Sequence, residues 1–452
     1  MLFRSMKHIV RKVNEVYGVS NQMIATYIER KEVDYLFLEG LQRRKHIIIY
    51  GASKQGKTSL TNKHLSENDY VKVNCSTGTT IIDIYKSILR QLNIEILDTK
   101  EENNNIGGDA NIGVKAKLKI PILGNFDTSG SISGKKSAGH RNTYRTVEYN
   151  LALAQDISEL LISLEFSKRI ILENFHYLQE DVQQQLAFDL RIFEDYDILF
   201  IILGIWRERN RLSQYNGDLV DRVIEIPVEP WKADDLKKIV NTGLPLLNVS
   251  FENVVDKIMS SCFDSVGVFQ EICKESCYTA GVHETSETLI HIDHNNIDDA
   301  IKKKLEDYSS RHIRCLESFI EQVAKSSNEV PLYIPYYFIK VLLNEPFDEI
   351  NKGLKRKYLH EKIKEIHHRP DDVRASDMGY FLKTLVQNQL KKKISPPIFD
   401  YDLSTRSVKI IDSTFYFFLK NYNRQEILDE LSIPQGISKQ RSEERRVGKE
   451  CR

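Results

Sequence analysis

The sequence predicts an α/β protein whose core is a parallel sheet covered by helices on both faces. Three observations predict it. The apolar, β-branched runs "HIIIY", "YVKVN", "RIIL" and "LFIILG" recur along the first half of the chain, and runs of this kind suit strands buried on both sides. Helical patterns separate them: "TTIIDIYKSILRQL" after the second run and "DVQQQLAFDLRIFEDY" after the third. A glycine-rich turn, "GASKQGKT", closes the first run and opens a helix-compatible stretch, "TSLTNKHLSEN".

That turn, Gly51-Ala52-Ser53-Lys54-Gln55-Gly56-Lys57-Thr58, fits the P-loop pattern G-x-x-x-x-G-K-[ST] in full and has the strand and helix the pattern requires on its two sides. Gly51 and Gly56 let the backbone turn tightly, so that successive N–H groups face a phosphate. The helix that follows aims its positive end at the same anion. Lys57 is placed to reach the β- and γ-phosphates of ATP and the Thr58 hydroxyl to ligate Mg²⁺, with Ser59 completing the binding segment. The alternative is a glycine-rich turn with a stray lysine.

Beyond the P-loop, "YVKVNCSTGTTIIDIYKSILRQL" reads as strand, polar turn and helix, with Ile82, Ile84, Ile88 and Leu89 on the helix. An insert at 103–140 is bounded by Gly, Ser and Asn. Inside it Val114, Ala116, Leu118 and Ile120 alternate with Lys115, Lys117 and Lys119, the period of a strand with one lysine face, and Gly124-Asn125 turns it back into a second strand. Such a basic hairpin either touches DNA or a partner, or is a solvated edge whose lysines prevent aggregation. "TVEYNLALAQDISELLISLEF" reads as one long helix, then "KRIILENFHYL" as strand, "DVQQQLAFDLRIFEDY" as helix, and "DILFIILG" and "DRVIEIPVEPW" as strands.

Residues 231–305 read as wholly helical, with "EDYSSRHIR" as a linker. Beyond it, "CLESFIEQVAKSS" and "PYYFIKVLLN" read as helices. "ASDMGYFLKTLVQNQL" has a Ser-Asp start and an apolar face of Met378, Phe381, Leu382 and Leu385. "PPIFDYDLSTRSVKIIDSTFYFFLKNY" reads as two short strands joined by the turn from Leu403 to Ser407. Helices followed by such a hairpin predict a winged helix-turn-helix. Twelve lysines and arginines face five acids between residues 351 and 393. A basic recognition helix and wing would neutralise the phosphates of double-stranded DNA; the alternative is a protein-docking module with a solvated basic face.

Composition bounds the rest. At 452 residues the chain has room for about two to four domains. Its 64 lysines and arginines balance 64 aspartates and glutamates, so only local patches can attract nucleic acid. No apolar run approaches the roughly 20 residues that span a bilayer, and "MLFRSMKHIVRKVNEVYG" lacks a secretory apolar stretch. Cytoplasmic residence without a membrane partner is the expectation. Six cysteines in a chain of this length predict reduced core thiols, Cys273 and Cys277 among them, rather than disulfides or a zinc site. His367, His368, His291 and His294 are expected at the surface. The abrupt, charge-dense end "RSEERRVGKECR", residues 441–452, reads as a non-native tail.

In their order along residues 25 to 300, "TYIERKEVDYLFLEGL", "GASKQGKTSL", "VKVNCSTGTT" and "IILENFHYL" resemble AAA+ ATPases. Within that class the sequence is similar to origin-recognition-type initiators and to STAND-like bacterial ATP-binding proteins. The resemblance implies an ASCE/AAA+ P-loop fold: an N-terminal helical segment (1–24), a nucleotide-binding domain (25–230), a helical lid (231–305) and a winged-helix domain (312–425). It implies that Glu173 is the Walker B acid that holds the water shell of Mg²⁺; otherwise Glu173 caps a strand. Asn174 then matches the position of the acid that polarises the attacking water, and an amide orients water without accepting its proton. The strand "LFIILGIWRERN" should end in a polar sensor, but Gly204-Ile205-Trp206 is apolar and Arg207, Arg209 and Asn210 come late. Arg222 matches an arginine finger offered to a neighbouring subunit, or else pairs with Asp218 or Asp221. The segment "SVGVFQEICKESC" lacks the arginine with which many such lids contact nucleotide.

The function expected is a switch that binds ATP and Mg²⁺, hydrolyses ATP slowly to ADP and phosphate, and engages DNA. It would act as a homo-oligomer or through a partner effector protein. The resemblance implies a setting in phage defence, transposition or mobile-element maintenance. The alternatives are a nucleotide-loaded adaptor that does not hydrolyse ATP, and a motor in which another residue, such as His176, compensates for Asn174.

Overall fold

The computed structural model describes residues 9–20, 22–106, 109–121, 144–263, 265–321, 331–431 and 434. The tail at 441–452 and the turn expected at Gly124-Asn125 lie outside the described residues. Eight strands come first: β1 His46–Tyr50, β2 Tyr70–Asn74, β3 Glu95–Ile106, β4 Asp109–Pro121, β5 Tyr144–Asn150, β6 Arg169–Glu173, β7 Phe200–Gly204 and β8 Val223–Pro227.

Five of them form one parallel sheet in the order β2-β6-β7-β1-β8. Every residue of β1 and of β7 is buried, as their unbroken apolar sequences predict for strands covered on both faces. Alternation of side chains divides the core in two. Ile48, Leu172, Phe200 and Ile202 pack against the helices Ile81–Gln91, Ala154–Ser163 and Glu180–Asp195. Ile47, Ile49, Ile171 and Ile201 pack against Val33 and Phe37 of the helix Lys31–Gln42 and Leu60 of the helix Lys57–His64. Because the strands run in one direction, the loops that follow β1, β2, β6 and β7 gather at one edge of the sheet, the edge where α/β sheets place their ligands.

The insert departs from expectation in two places. β4 does carry the alternating face, with Val114, Ala116, Leu118 and Ile120 buried, and Ala116, Leu118 and Ile120 join the main core. It pairs, however, with two antiparallel strands. One, β3, lies in "EILDTKEENNNI", where no strand was expected. The other, β5, spans Tyr144–Asn150 and takes in residues 146–150, the start of the expected long helix, which begins only at Ala154. Val147 and Tyr149, opposite Leu118 and Ala116, are residue types that favour the pleated surface over the helix.

Residues 231–305 are mostly helical, with Ala233–Leu247, Val255–Cys262 and Val266–Thr279, but a short parallel pairing of Val249–Ser250 with Ile290–His291 interrupts them. The expected linker is not a linker. "EDYSSRHIR" lies inside one continuous helix of 27 residues, His294–Ile320, whose N-terminus is capped by Asp293. The start of this helix buries Ile297 and Ala300 against the preceding helices, and its end buries Leu316, Phe319 and Ile320 in the C-terminal core. A helix with an apolar anchor at each end has no reason to break where its middle is polar.

The C-terminal region runs helix Ile334–Asn344, helix Phe347–Lys352, strand Leu354–Lys355, helix Arg356–Ile366, helices Ala375–Lys383 and Leu385–Lys391, then the hairpin Phe399–Asp402 and Ser407–Ile410. The short strand pairs with the hairpin, giving a three-stranded sheet. The single helix expected over "ASDMGYFLKTLVQNQL" breaks at Thr384, although Met378, Phe381, Leu382 and Leu385 are all buried. The "STFYFFLKN" that closes the expected strand pair is a helix, Ser413–Asn421. Cys273 and Cys277 are free and buried. His291 and His294 are exposed. His367 is not at the surface: it is buried, its ring nitrogens on the carbonyls of Leu332 and Arg369 at 2.7 and 2.8 Å. No helix among the described residues is long and apolar enough to cross a membrane.

Candidate functional site

The P-loop leaves the end of β1 and enters the helix Lys57–His64 through Gly56, whose φ of 85° is a backbone conformation that suits glycine. Lys57 lies over the loop and donates to the carbonyls of Gly51 and Ala52 at 2.9 and 2.6 Å. Burial pushes its ammonium down to about 8, against the nearby carboxylates of Glu229 and Glu173. The next side chain, Thr58, donates from Oγ1 to Glu173 Oε1 at 2.5 Å. The last residue of β6 therefore meets the first turn of the P-loop helix, although β7 separates β6 from β1 in the sheet.

The residues present fit a hard divalent cation. A hydroxyl and a carboxylate oxygen converge, the oxygen donors that Mg²⁺ takes alongside phosphate and water. The second oxygen of Glu173 forms an ion pair with Lys72 on β2, a contact that answers the acid's charge within the chain itself. Asn174 follows at φ 59°, left-handed, and begins the single turn Phe175–Tyr177. A cavity of about 690 Å³, the size that holds a nucleotide-sized ligand, is lined by Lys57, Thr58, Lys72, Glu173, Asn174 and His176 and also by Val266, Gly267 and Gln270 of the helix Val266–Thr279.

Three further elements grip the loop; the sequence points to the segment at 265–277 and to Arg207 only through the resemblance, and does not mark Gly267, Glu229 or residues 411–413 as contacts of the loop at all. The helix Val266–Thr279 starts against it: Gly267 N–H donates to Lys54 O at 3.0 Å, and a Cβ at Gly267 would lie 2.5 Å from that oxygen. Glu229, just past β8, accepts from Ala52 N–H at 3.1 Å and holds Arg207 bidentately at 2.8 and 3.1 Å; Arg207 also donates to the Tyr416 hydroxyl at 3.0 Å. The third element is the segment after the C-terminal hairpin. Ser53 N–H donates to Ile411 O at 2.9 Å, Ser53 Oγ to Asp412 at 3.2 Å, and Ser413 returns bonds from its N–H to Ser53 Oγ at 3.0 Å and from its hydroxyl to Ser53 O at 2.6 Å. Arg311, within the supposed linker, pairs with Asp412 at 2.7 Å. The one available signal was Asp412-Ser413-Thr414 before an apolar run, a helix N-cap pattern; Asp412 does cap that helix.

Arg222 pairs with Glu194 rather than with Asp218 or Asp221. It precedes β8 and so lies at the sheet edge opposite the P-loop. β7 ends at Gly204, and the residues it brings to the cavity, Leu203, Gly204 and Ile205, are apolar; Trp206 beyond them is fully buried and stacks on Tyr50 at 6.2 Å. Much of the C-terminal basic excess is answered locally, by the pairs Lys352–Glu349, Lys357–Glu361 and Lys362–Glu365. Lys392 donates to the carbonyls of Ser318 and Phe319 at 2.7 and 3.0 Å, closing the end of the long helix. Lys364, Lys383, Lys391 and Lys393 make no ion pair among the described residues.

A parallel sheet ordered β2-β6-β7-β1-β8, a P-loop after β1 and an acid at the end of β6 beside the P-loop threonine make this an α/β protein of the P-loop class. The chain is similar in structure to a Walker-type ATPase of Pyrococcus abyssi, with 13% identity, 87% of this chain and 96% of the other covered, and a TM-score of 0.43. The Aeropyrum pernix ORC1 protein, solved in complex with DNA, is similar at 12% identity over 94% of this chain and 97% of that one, with a TM-score of 0.40. A Thermotoga maritima RuvB variant matches at 9% identity over 90% and 96%, with a TM-score of 0.36. No family model matches the sequence, and no curated protein matches it.

Proposed function

We propose that the chain is an ATP-binding regulatory ATPase that works as a nucleotide-dependent switch with slow hydrolysis. The observation that carries this reading is the meeting of Thr58 and Glu173 at 2.5 Å beside the loop, followed at once by an amide, Asn174. ATP is held by residues 51 to 59, through backbone N–H groups, the helix N-terminus and Lys57. Thr58 and Glu173 would hold Mg²⁺, which when bound neutralises charge between the β- and γ-phosphates. Asn174 orients water without taking its proton, so hydrolysis resets the switch rather than driving work. Arg222, at the far edge of the sheet, is read as a finger for a second copy in a homo-oligomer.

The C-terminal region is read as a winged helix that engages double-stranded DNA. Its order of helix, strand, helix, helices and hairpin supports this, as do Lys364, Lys383, Lys391 and Lys393. Nucleotide state would reach it through Ser53, where the P-loop and residues 411–413 exchange hydrogen bonds. A partner effector protein would carry the output, in a setting such as phage defence or mobile-element maintenance. One observation favours the second reading, a nucleotide-loaded adaptor without hydrolysis: Lys72 already engages the carboxylate of Glu173.

Turnover measured with and without duplex DNA separates the readings. A rate below about 1 s⁻¹, the low end of ordinary enzymes, that Lys57→Ala abolishes is the outcome expected of the switch. Faster turnover sinks it in favour of a motor. Binding of ATP that depends on Lys57 with no detectable turnover establishes the adaptor.

A further inference from the structure

One polar side chain in the cavity has no part in the reading above. The turn that starts at Asn174 carries His176 into the same cavity as Lys57, Thr58 and Glu173. His176 is 3% exposed, and neither ring nitrogen has a hydrogen-bond partner among the described residues. Buried polar groups are nearly always paired, and an orphaned one marks a place where a ligand or water belongs. The same sheet holds a histidine in the ordinary structural state for comparison. His46, equally buried, places Nε2 on Leu190 O at 2.9 Å and accepts Phe200 N–H on Nδ1 at 3.0 Å.

Position says which part of a nucleotide His176 would meet. P-loop amides cradle the α- and β-phosphates, and the P-loop lysine reaches the β- and γ-phosphates. His176 lines the cavity together with Glu173, Asn174 and Lys57, close enough to feel the charge of that lysine. Burial first, then the charges of Lys57 and Arg211, push its imidazole down to about 3. The neutral ring offers one N–H donor and one lone pair. The residues that line the cavity from the end of β7, Leu203, Gly204 and Ile205, are apolar, so none of them offers a phosphate oxygen a side-chain partner.

We infer that His176 is a further binding residue for the terminal phosphate of ATP, and that it makes the site distinguish ATP from ADP. The inference rests on the ATP-binding reading and deepens it: the N–H donates to a γ-phosphate oxygen, and ADP leaves the ring without that partner.

The test is calorimetry on the full chain with Mg²⁺ and either ADP or a non-hydrolysable ATP analogue. His176→Ala is expected to weaken the analogue by about tenfold, the cost of one hydrogen bond to a charged acceptor, and to leave ADP within about twofold. His176→Gln, which keeps a donor, should recover part of the loss. Equal losses for both nucleotides, or no loss for either, overturn the assignment. Should the alanine variant unfold, the ¹⁵N resonances of the wild-type imidazole decide instead: the analogue must shift them and ADP must not. Failure of the underlying reading looks different, because then wild type binds neither nucleotide and Lys57→Ala changes nothing.

Discussion

Replacing Asp412 tests whether one carboxylate ties the C-terminal region to the P-loop. Its side chain is 2% exposed. One oxygen accepts from Ser53 Oγ at 3.2 Å and from Thr414 N–H and Oγ1 at 3.0 and 2.7 Å, and the other pairs with Arg311 at 2.7 Å. Asp412→Ala removes a helix cap, worth about 1 kcal/mol. It also strips Arg311 of its partner. Breaking a fully buried pair costs roughly 3–5 kcal/mol, but the Arg311 side chain is 32% exposed, so water takes back part of that and about 2 kcal/mol remains. The sum is a loss of about 3 kcal/mol for Asp412→Ala. Asp412→Asn keeps the cap and forfeits the charge, a loss of about 1.5 kcal/mol.

Denaturant unfolding followed by tryptophan fluorescence measures both, because Trp231 lines the cavity beside the P-loop. Hydrogen exchange of the Ser53 amide, bonded to Ile411 O, should quicken in the alanine variant. The acid limb supplies a third readout. Burial pushes the Asp412 carboxyl up, but the charges of His312 and Arg311 and hydrogen bonds from Arg311 and Thr414 hold it below the ordinary carboxylate range. His312 is itself pushed down to about 4 by burial, so above that pH Arg311 is the partner that counts. A folded value below the unfolded one means stability present above about pH 4 and lost as pH falls through the folded value; Asp412→Asn should flatten that limb. An alanine variant within about 0.5 kcal/mol of wild type, with Ser53 exchange unchanged, refutes the tie.

Asn174→Asp should raise ATP turnover several-fold in a steady-state phosphate-release assay; unchanged turnover counts against the slowed-hydrolase account. Lys57, lowered to about 8 in the folded chain, should regain its proton as phosphate binds. Nucleotide binding near pH 9 should then take up a proton, seen as a dependence of the calorimetric heat on the buffer's ionisation enthalpy, and Lys57→Ala should remove it. Charge reversal at Lys391 and Lys393 should weaken duplex DNA binding and flatten its salt slope without lowering the melting temperature. Charge reversal at Lys392 should lower the melting temperature instead, because its ammonium holds the carbonyls that end the long helix.

What the sequence makes legible is local. The P-loop is a contiguous run whose spacing states its own chemistry, and β1, β2, β6 and β7 are short apolar runs between helical patterns, so both read off the chain directly. The long helix His294–Ile320 does not show in the sequence because its middle, "EDYSSRHIR", has the composition of a linker, and only the apolar anchors at its two ends decide otherwise. β5 is hidden in the sequence because "TVEYNLALAQ" carries helix-compatible periodicity, and pairing with β4 overrides it. Of the contacts that grip the P-loop, the sequence shows at most the parts: Asp412 reads as a helix cap, but its meeting with the loop does not. Ser53 and Ser413 are 360 residues apart in sequence, and no period or motif relates them.

Asn174 lies between these cases. The sequence gives its chemistry, an amide where a proton acceptor is expected, and the structure adds its backbone, left-handed at φ 59°. Asparagine and aspartate visit that region far more readily than longer side chains do, and holding an unsuited residue there costs of order 1–3 kcal/mol. Two replacements that chemistry alone ranks as equals therefore part ways. Asn174→Asp gains a carboxylate on an undistorted turn. Asn174→Glu gains one at the expense of the turn that carries His176 into the cavity, so it should recover less turnover and bind the ATP analogue less tightly. Equal behaviour of the two variants in both assays would show that the turn's backbone does not matter to the site.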